Sequence, residues 1–265
     1  MRKRILAYRD AFGIGDWIMT MSVLKMLQIT YPQFEISINM SGKLGTASRF
    51  IYEIVNGFDV EFSEILCTNL KLIQQNYDII TGHIVYTMRT NENLIFSMLS
   101  NLNNKTDLAV EYIPNFYSTY VGNIQKLTVP DNYILMPSCG KETKLSKRKD
   151  WGFDNFNSLC TLLVESGYSV VQIGVSTDPR LEKASFVYFN VSLSQLHFLM
   201  INCSFFIGLL NGLTVYAGHH GIKTFLLHYQ NRSSFDATNY DKQFSIDVTT
   251  LKPFDVVEYI RRTEC

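Results

Sequence analysis

Apolar positions along this chain follow two different periods, and the two take turns. Ile5–Tyr8 is an apolar run of strand length. From Trp17 to Tyr31 the apolar residues Ile18, Met21, Leu24 and Leu27 recur at helical spacing. Met19, Val23 and Met26 widen that face, so the pattern predicts a largely buried helix ended by Pro32. Phe34–Asn39 returns to strand character and completes a strand–helix–strand unit. Between the first strand and the helix, Gly13-Ile14-Gly15-Asp16 reads as a tight turn. The middle is less regular. Ser48–Val55 predicts a helix, Asp78–Thr81 a strand and Glu92–Leu102 a helix, with the polar Asn101–Asp107 as loop.

A boundary falls near Thr128-Val129-Pro130-Asp131-Asn132, and a second series begins after it. Tyr133–Met136 is a strand, followed by a basic loop and a helix from about Asp154 to Glu165. Phe156, Leu159 and Leu163 share one face of that helix, and Gly167 suits the position just past its end. Tyr168–Val175 is a strand. Ser192-Leu193-Ser194-Gln195 has the spacing of a capping box and opens a helix to Asn202. Phe205–Leu209 is a strand, Asn211-Gly212 opens a helix that Gly221 ends, and Lys223–His228 is the last clear strand. Phe254–Arg262 predicts a terminal helix with basic residues in its last turn. Such alternation of strands and helices predicts an α/β fold with parallel sheets. Residues 1–128 form one predicted Rossmann-like domain, 129–250 a second, and 251–265 a C-terminal helix.

Composition narrows the class. A chain of 265 residues, 46% hydrophobic and 13% aromatic, has enough apolar surface for a substantial core. No apolar run reaches the roughly 18 residues that span a bilayer, so no integral membrane contact is expected. The basic start resembles a secretion signal, but its apolar stretch stops at Arg9-Asp10 with no small-residue cleavage site. Cys67, Cys139, Cys160, Cys203 and Cys265 are scattered and lack metal-ligand spacing, which favours reduced thiols and a cytoplasmic location. A formal net charge of zero weighs against a protein that coats nucleic acid, although Lys141–Lys149 is locally basic.

Several residues stand where chemistry is possible. Asp16 follows two glycines at a helix start, where a carboxylate is held charged and is ready to take a proton; the same position also suits a simple helix cap. The loop bearing Ser146, Arg148 and Lys149 joins a strand to a helix, at the sheet edge where ligands bind in open α/β folds. Its cations suit a diphosphate, or else form a solvated basic loop. Asp178 follows a strand and suits either ribose hydroxyls or a turn. His219, His220 and His228 have no carboxylate or cysteine pattern around them, and adjacent helical histidines point about 100° apart, so no metal is expected.

In order and spacing, these segments together resemble glycosyltransferase family 9, the heptosyltransferase-like enzymes. Gly13-Ile14-Gly15-Asp16 with Tyr31-Pro32 resembles the family's "GxGD" strand-turn-helix and the "YP" that ends it. Lys149-Asp150-Trp151 with Phe156 resembles its "KxW…F/W" donor-phosphate segment. Val170–Gly174 with Asp178, Ser192–Leu196 through Gly208, and Asn211-Gly212 through Gly221 resemble the strands and helices that follow. The resemblance implies a GT-B fold, two Rossmann-like domains with parallel sheets facing across a cleft. It implies inverting transfer from a nucleotide-diphosphate sugar, a UDP-sugar or ADP-sugar, with neither metal nor other cofactor. Asp16 is then the general base. Gly13, Gly15, Ser146, Arg148, Lys149, Asp178, Asn211, Gly212 and Thr214 are the expected donor-binding residues.

The chain departs from that pattern where Leu210 replaces an aspartate, Val215 a histidine and Lys223 a proline, and it is shorter in its N-terminal half. The donor sugar is therefore open. The expected acceptor is a bacterial glycan such as lipopolysaccharide. A bacteriophage enzyme that glycosylates a hydroxymethylated base in DNA, and a catalytically silent nucleotide-sugar-binding module, are the alternatives.

Overall fold

A computed structural model describes residues 3–8, 13–39, 48–65, 74–84, 93–114, 116–138, 151–229 and 241–264. The chain divides into two compact units, one ending at Gly122 and the other beginning at Asn123. The division falls a few residues before the boundary expected at 128, because the connecting strand of chain is tied to the second unit. Gln125 N–H donates to Ser194 Oγ at 2.7 Å, Ser194 Oγ donates to the Asn123 carbonyl at 2.5 Å, and Tyr188 OH donates to the Thr128 carbonyl.

The first unit runs β1 (Arg4–Tyr8), α1 (Ile14–Thr30), β2 (Glu35–Asn39), α2 (Ser48–Gly57), β3 (Ser63–Ile65), β4 (Ile79–His83) and α3 (Leu94–Thr106). Its sheet has the order β3-β2-β1-β4, with parallel pairing throughout. Ile5, Leu6 and Ala7 of β1 and Ile36 and Ile38 of β2 are all buried, as expected of parallel strands covered on both faces. In α1 every residue from Trp17 to Leu24 is buried, so the helix is enclosed on nearly all sides. Lys25 leaves that enclosure by donating to the Asp59 carbonyl at 2.5 Å. Asp59 Oδ1 accepts from Ser118 Oγ at 2.8 Å and from Thr119 N–H at 2.9 Å, which pins the segment leading out of the unit.

Two expectations in this unit are corrected. The predicted tight turn at Gly13–Asp16 is already helix: α1 begins at Ile14, and Gly13 is its N-cap with φ −90° and ψ 133°. Neither Gly13 nor Gly15 adopts the left-handed backbone that glycine favours; among the described residues Gly152, Gly167 and Gly221 do. The polar run Asn101–Asp107 is not a loop, since α3 continues to Thr106 and Asp107 ends it at φ 55°. One of its polar side chains is tied to the segment that follows the helix. Asn103 donates to the Val110 carbonyl at 2.8 Å and accepts from Val110 N–H at 3.1 Å, while Leu102 fills the core.

The second unit runs β5 (Tyr133–Met136), α4 (Phe153–Glu165), β6 (Ser169–Gly174), β7 (Phe186–Phe189), α5 (Leu193–Asn202), β8 (Phe205–Leu209), α6 (Gly212–His219), β9 (Thr224–His228), β10 (Gln243–Asp247) and α7 (Pro253–Glu264). The sheet order is β10-β9-β8-β5-β6-β7, again parallel. Its edge strands, β7 and β10, are additions to the sequence reading. Both are only partly buried, so neither carries the apolar run that marks a central strand. On one face, Phe156, Leu159 and Leu163 of α4 and Val256 and Ile260 of α7 share a core with Phe205, Ile207 and Phe225. Helix α6 packs on β8 and β9. Gly208 in β8 leaves room for the Phe206 ring, since a Cβ there would lie 2.7 Å from it. No helix among the described residues is long and apolar enough to cross a membrane.

Candidate functional site

In each sheet one strand lies where the chain order reverses. β1 has β2 on one side and β4 on the other, and β5 lies between β6 and β8. Segments leaving the carboxyl ends of such strands diverge from their neighbours, which opens a crevice for ligands. The segment after β1 leads to Gly13 and Asp16. The segment after β5 holds Ser146, Arg148 and Lys149, and the segment after β8 leads to Asn211 and Gly212.

Asp16 is the third residue of α1 and is half-buried. Its carboxylate folds back over the helix N-cap. A Cβ built on Gly13 would stand 2.6 Å from Asp16 Oδ2, so the missing side chain at 13 is what leaves the carboxylate its place. A negative charge there lies along the positive end of the helix dipole. Trp17, fully buried, and the Thr20 Oγ1 bond to the Asp16 carbonyl at 2.7 Å fix the turn beneath it. Gly15 is buried inside the helix.

In the second unit, the expected donor residues Ser146, Arg148 and Lys149 lie outside the described residues. Both ends of their segment are anchored. Ser138, at the carboxyl edge of β5, is fully buried, and Trp151 is in the core, 5.6 Å edge-to-face from Phe156. Trp151, part of the donor-phosphate resemblance, is thus a packing residue.

Asn211, Gly212 and Thr214 come together at the start of α6. Asn211 Oδ1 accepts from Leu213 N–H at 2.8 Å, and Asn211 N–H donates to Thr214 Oγ1 at 3.0 Å, closing a capping box. Thr214 Oγ1 also donates to the Asn211 carbonyl at 2.7 Å, and the residue is buried. Its hydroxyl closes the cap of α6. Asp178 stands apart, after β6. Its Oδ2 accepts from Val175 N–H at 2.8 Å and its N–H donates to the Val175 carbonyl at 2.9 Å, so it closes its own turn beneath Gly174.

Two positioning features were not read from the sequence. Gln172, fully buried in β6, donates to the Pro179 carbonyl and accepts from Leu181 N–H, both at 2.8 Å, holding the segment that bears Asp178. A glutamine inside Val-Val-Gln-Ile was the available signal, because a buried amide must find partners. His197 of α5 meets the Tyr216 hydroxyl of α6 at 2.8 Å, and burial pushes the His197 pKa down. Among the described residues no three His, Cys, Asp or Glu side chains gather as metal ligands do.

No protein-family model matches the sequence, and no curated protein does. Solved structures do. ADP-heptose LPS heptosyltransferase II of E. coli superposes with a TM-score of 0.70 at 15% identity, covering 98% of both chains. A family 9 glycosyltransferase from Veillonella parvula gives 0.68 at 14% identity, covering all of this chain and 90% of its own. E. coli heptosyltransferase WaaC, solved with ADP, gives 0.66 at 11% identity, covering 98% of this chain and 99% of its own.

The fold is GT-B.

In each sheet of this GT-B chain, a helix start lies beyond the carboxyl end of an interior strand. Asp16 sits beyond β1 in the first unit. The N-cap of α6 sits beyond β8 in the second, next to the strand that leads to Lys149.

Proposed function

We propose that the chain is an inverting, metal-independent glycosyltransferase that moves a sugar from a nucleotide-diphosphate donor to an acceptor hydroxyl, the acceptor being a bacterial glycan. Asp16 takes the proton of the acceptor hydroxyl. The freed oxygen forms a bond to the anomeric carbon as the bond from that carbon to the diphosphate breaks, and the nucleoside diphosphate leaves. Arg148 and Lys149, with the amides at the start of α6, offset the charge that develops on the leaving group. Asn211 fixes that helix start and Gly212 lets the donor approach it. Ser146 adds a hydroxyl to the diphosphate contacts, and the work takes place in the cytoplasm, where nucleotide sugars are made.

One observation carries the reading: a carboxylate held at a helix start beyond the central strand of one sheet, in a chain whose whole length follows the heptosyltransferase fold. A general base so placed contributes about 10²–10⁴-fold to such a transfer. The test is a thermal-shift screen of nucleotide sugars, followed by detection of nucleoside diphosphate release. One donor class should raise the melting temperature and be turned over. Lys149→Ala should weaken its binding more than tenfold while leaving the acceptor KM within about twofold. No shift with any nucleotide sugar would end the proposal.

A further inference from the structure

His228 is the last residue of β9, at the carboxyl edge of the second sheet. Leu209 pairs with Leu227 across β8 and β9, so His228 lies level with the residue before Asn211. Its side chain direction follows from the strand. Phe225 and Leu227 belong to the core beneath α4 and α7, so the alternate residues Leu226 and His228 point to the opposite face. That is the face on which α6 packs, and α6 starts at this same edge.

There the imidazole has an unmet requirement. Nδ1 of His228 is buried and has no hydrogen-bond partner among the described residues. A buried polar nitrogen left without a protein partner is costly, and a water, an ion or a bound ligand group relieves that cost. The neighbouring helix start favours an anion. An N–H on Nδ1 supplies a further donor to an anionic oxygen.

We propose that His228 is a donor-binding residue whose Nδ1–H meets a phosphate oxygen of the nucleoside diphosphate at the start of α6. The inference rests on the donor reading given above and adds to it a residue and an atom.

Calorimetric titration of the full chain with ADP and UDP, with adenosine and uridine, and with inorganic pyrophosphate tests it. The wild type should bind one of the nucleoside diphosphates. His228→Ala should weaken that binding by tenfold or more, with the matching nucleoside unaffected. His228→Asn, whose amide nitrogen occupies the place of Nδ1, should stay within about threefold of wild type, whereas His228→Gln should not. The ligand-free melting temperature should hold or rise in His228→Ala, since an unpaired buried atom is removed. Pyrophosphate binding as tight as the nucleotide's, and equally sensitive to His228→Ala, would reassign the contact to a free anion and overturn the inference. Equal affinity in wild type and His228→Ala would overturn it too, leaving the donor reading intact. So would equal losses for nucleoside and nucleotide. Failure of the wild type to bind any nucleoside diphosphate would remove the donor reading and this inference together.

Discussion

Adding one methyl group at Gly13 should disable Asp16 without touching it. Gly13 has φ −90° and ψ 133°, a conformation alanine adopts freely, so Gly13→Ala brings no backbone strain. At an N-cap the exchange costs at most about 1 kcal/mol. The new Cβ would lie 2.6 Å from Asp16 Oδ2, closer than Cβ atoms come to other heavy atoms, and the flexible carboxylate is the group that gives way. It must move by about 0.5–1 Å to restore van der Waals contact. A displacement of about 1 Å in a catalytic group costs on the order of 10²-fold in rate. Nucleoside diphosphate release under saturating donor should therefore fall 10- to 100-fold (about 1.4–2.7 kcal/mol in barrier), with donor KM within about twofold. The melting temperature should drop by only a few degrees. In an Asp16→Asn background the same change should cost little more, because the two residues act as one unit. A Gly13→Ala enzyme at wild-type rate would refute the idea that the position of this carboxylate matters. A loss of the same size in the Asp16→Asn background would refute the proposed route.

Other consequences follow from the second unit. Burial holds the His197 pKa below its usual 6.5, so the unfolded chain takes up the proton first as pH falls; stability should be full above about pH 6.5 and decline below it, and His197→Gln should flatten that decline in denaturant titrations at pH 5 to 7. Tyr133→Phe removes the hydroxyl that donates to the buried Leu199 carbonyl at 2.7 Å and should cost about 1–3 kcal/mol in urea unfolding. Gly167→Ala forces a side chain onto φ 89° just past α4 and should cost about 1–2 kcal/mol by the same measurement. Burial pushes the Cys160 thiol up to about 11, so Cys160 should resist iodoacetamide at pH 8 until the protein is unfolded.

Much of the architecture was legible because buried parallel strands write themselves as apolar runs. Ile5–Tyr8, Tyr133–Met136 and Phe205–Leu209 are found within a residue of their predicted places. Local chemistry was equally readable where backbone and side chain close a motif within four residues. Ser192 and Gln195 form the expected capping box, with bonds of 3.2 and 2.9 Å, and Gly167 and Gly221 take the left-handed conformation that ends their helices. Errors arose where a long-range partner overrides a local preference. Asn103 is helical because Val110 satisfies its amide, and nothing in the run Asn101–Asp107 announces that bond. Gly13 and Gly15 read as turn residues, yet the helix already includes Gly15, and Gly13 makes room for a carboxylate. Nor does the sequence announce that the Thr214 hydroxyl closes the cap of its own helix. Nothing local marks His228 either; the strand register is what sets it level with the residue before Asn211.

The proposal turns on Asp16 as the base of a glycosyl transfer. Single-turnover transfer and calorimetric donor binding, measured on one preparation of Asp16→Asn beside wild type, test it most directly. Donor affinity should stay within about twofold while the transfer rate falls at least 100-fold. Transfer by Asp16→Asn at the wild-type rate would contradict it.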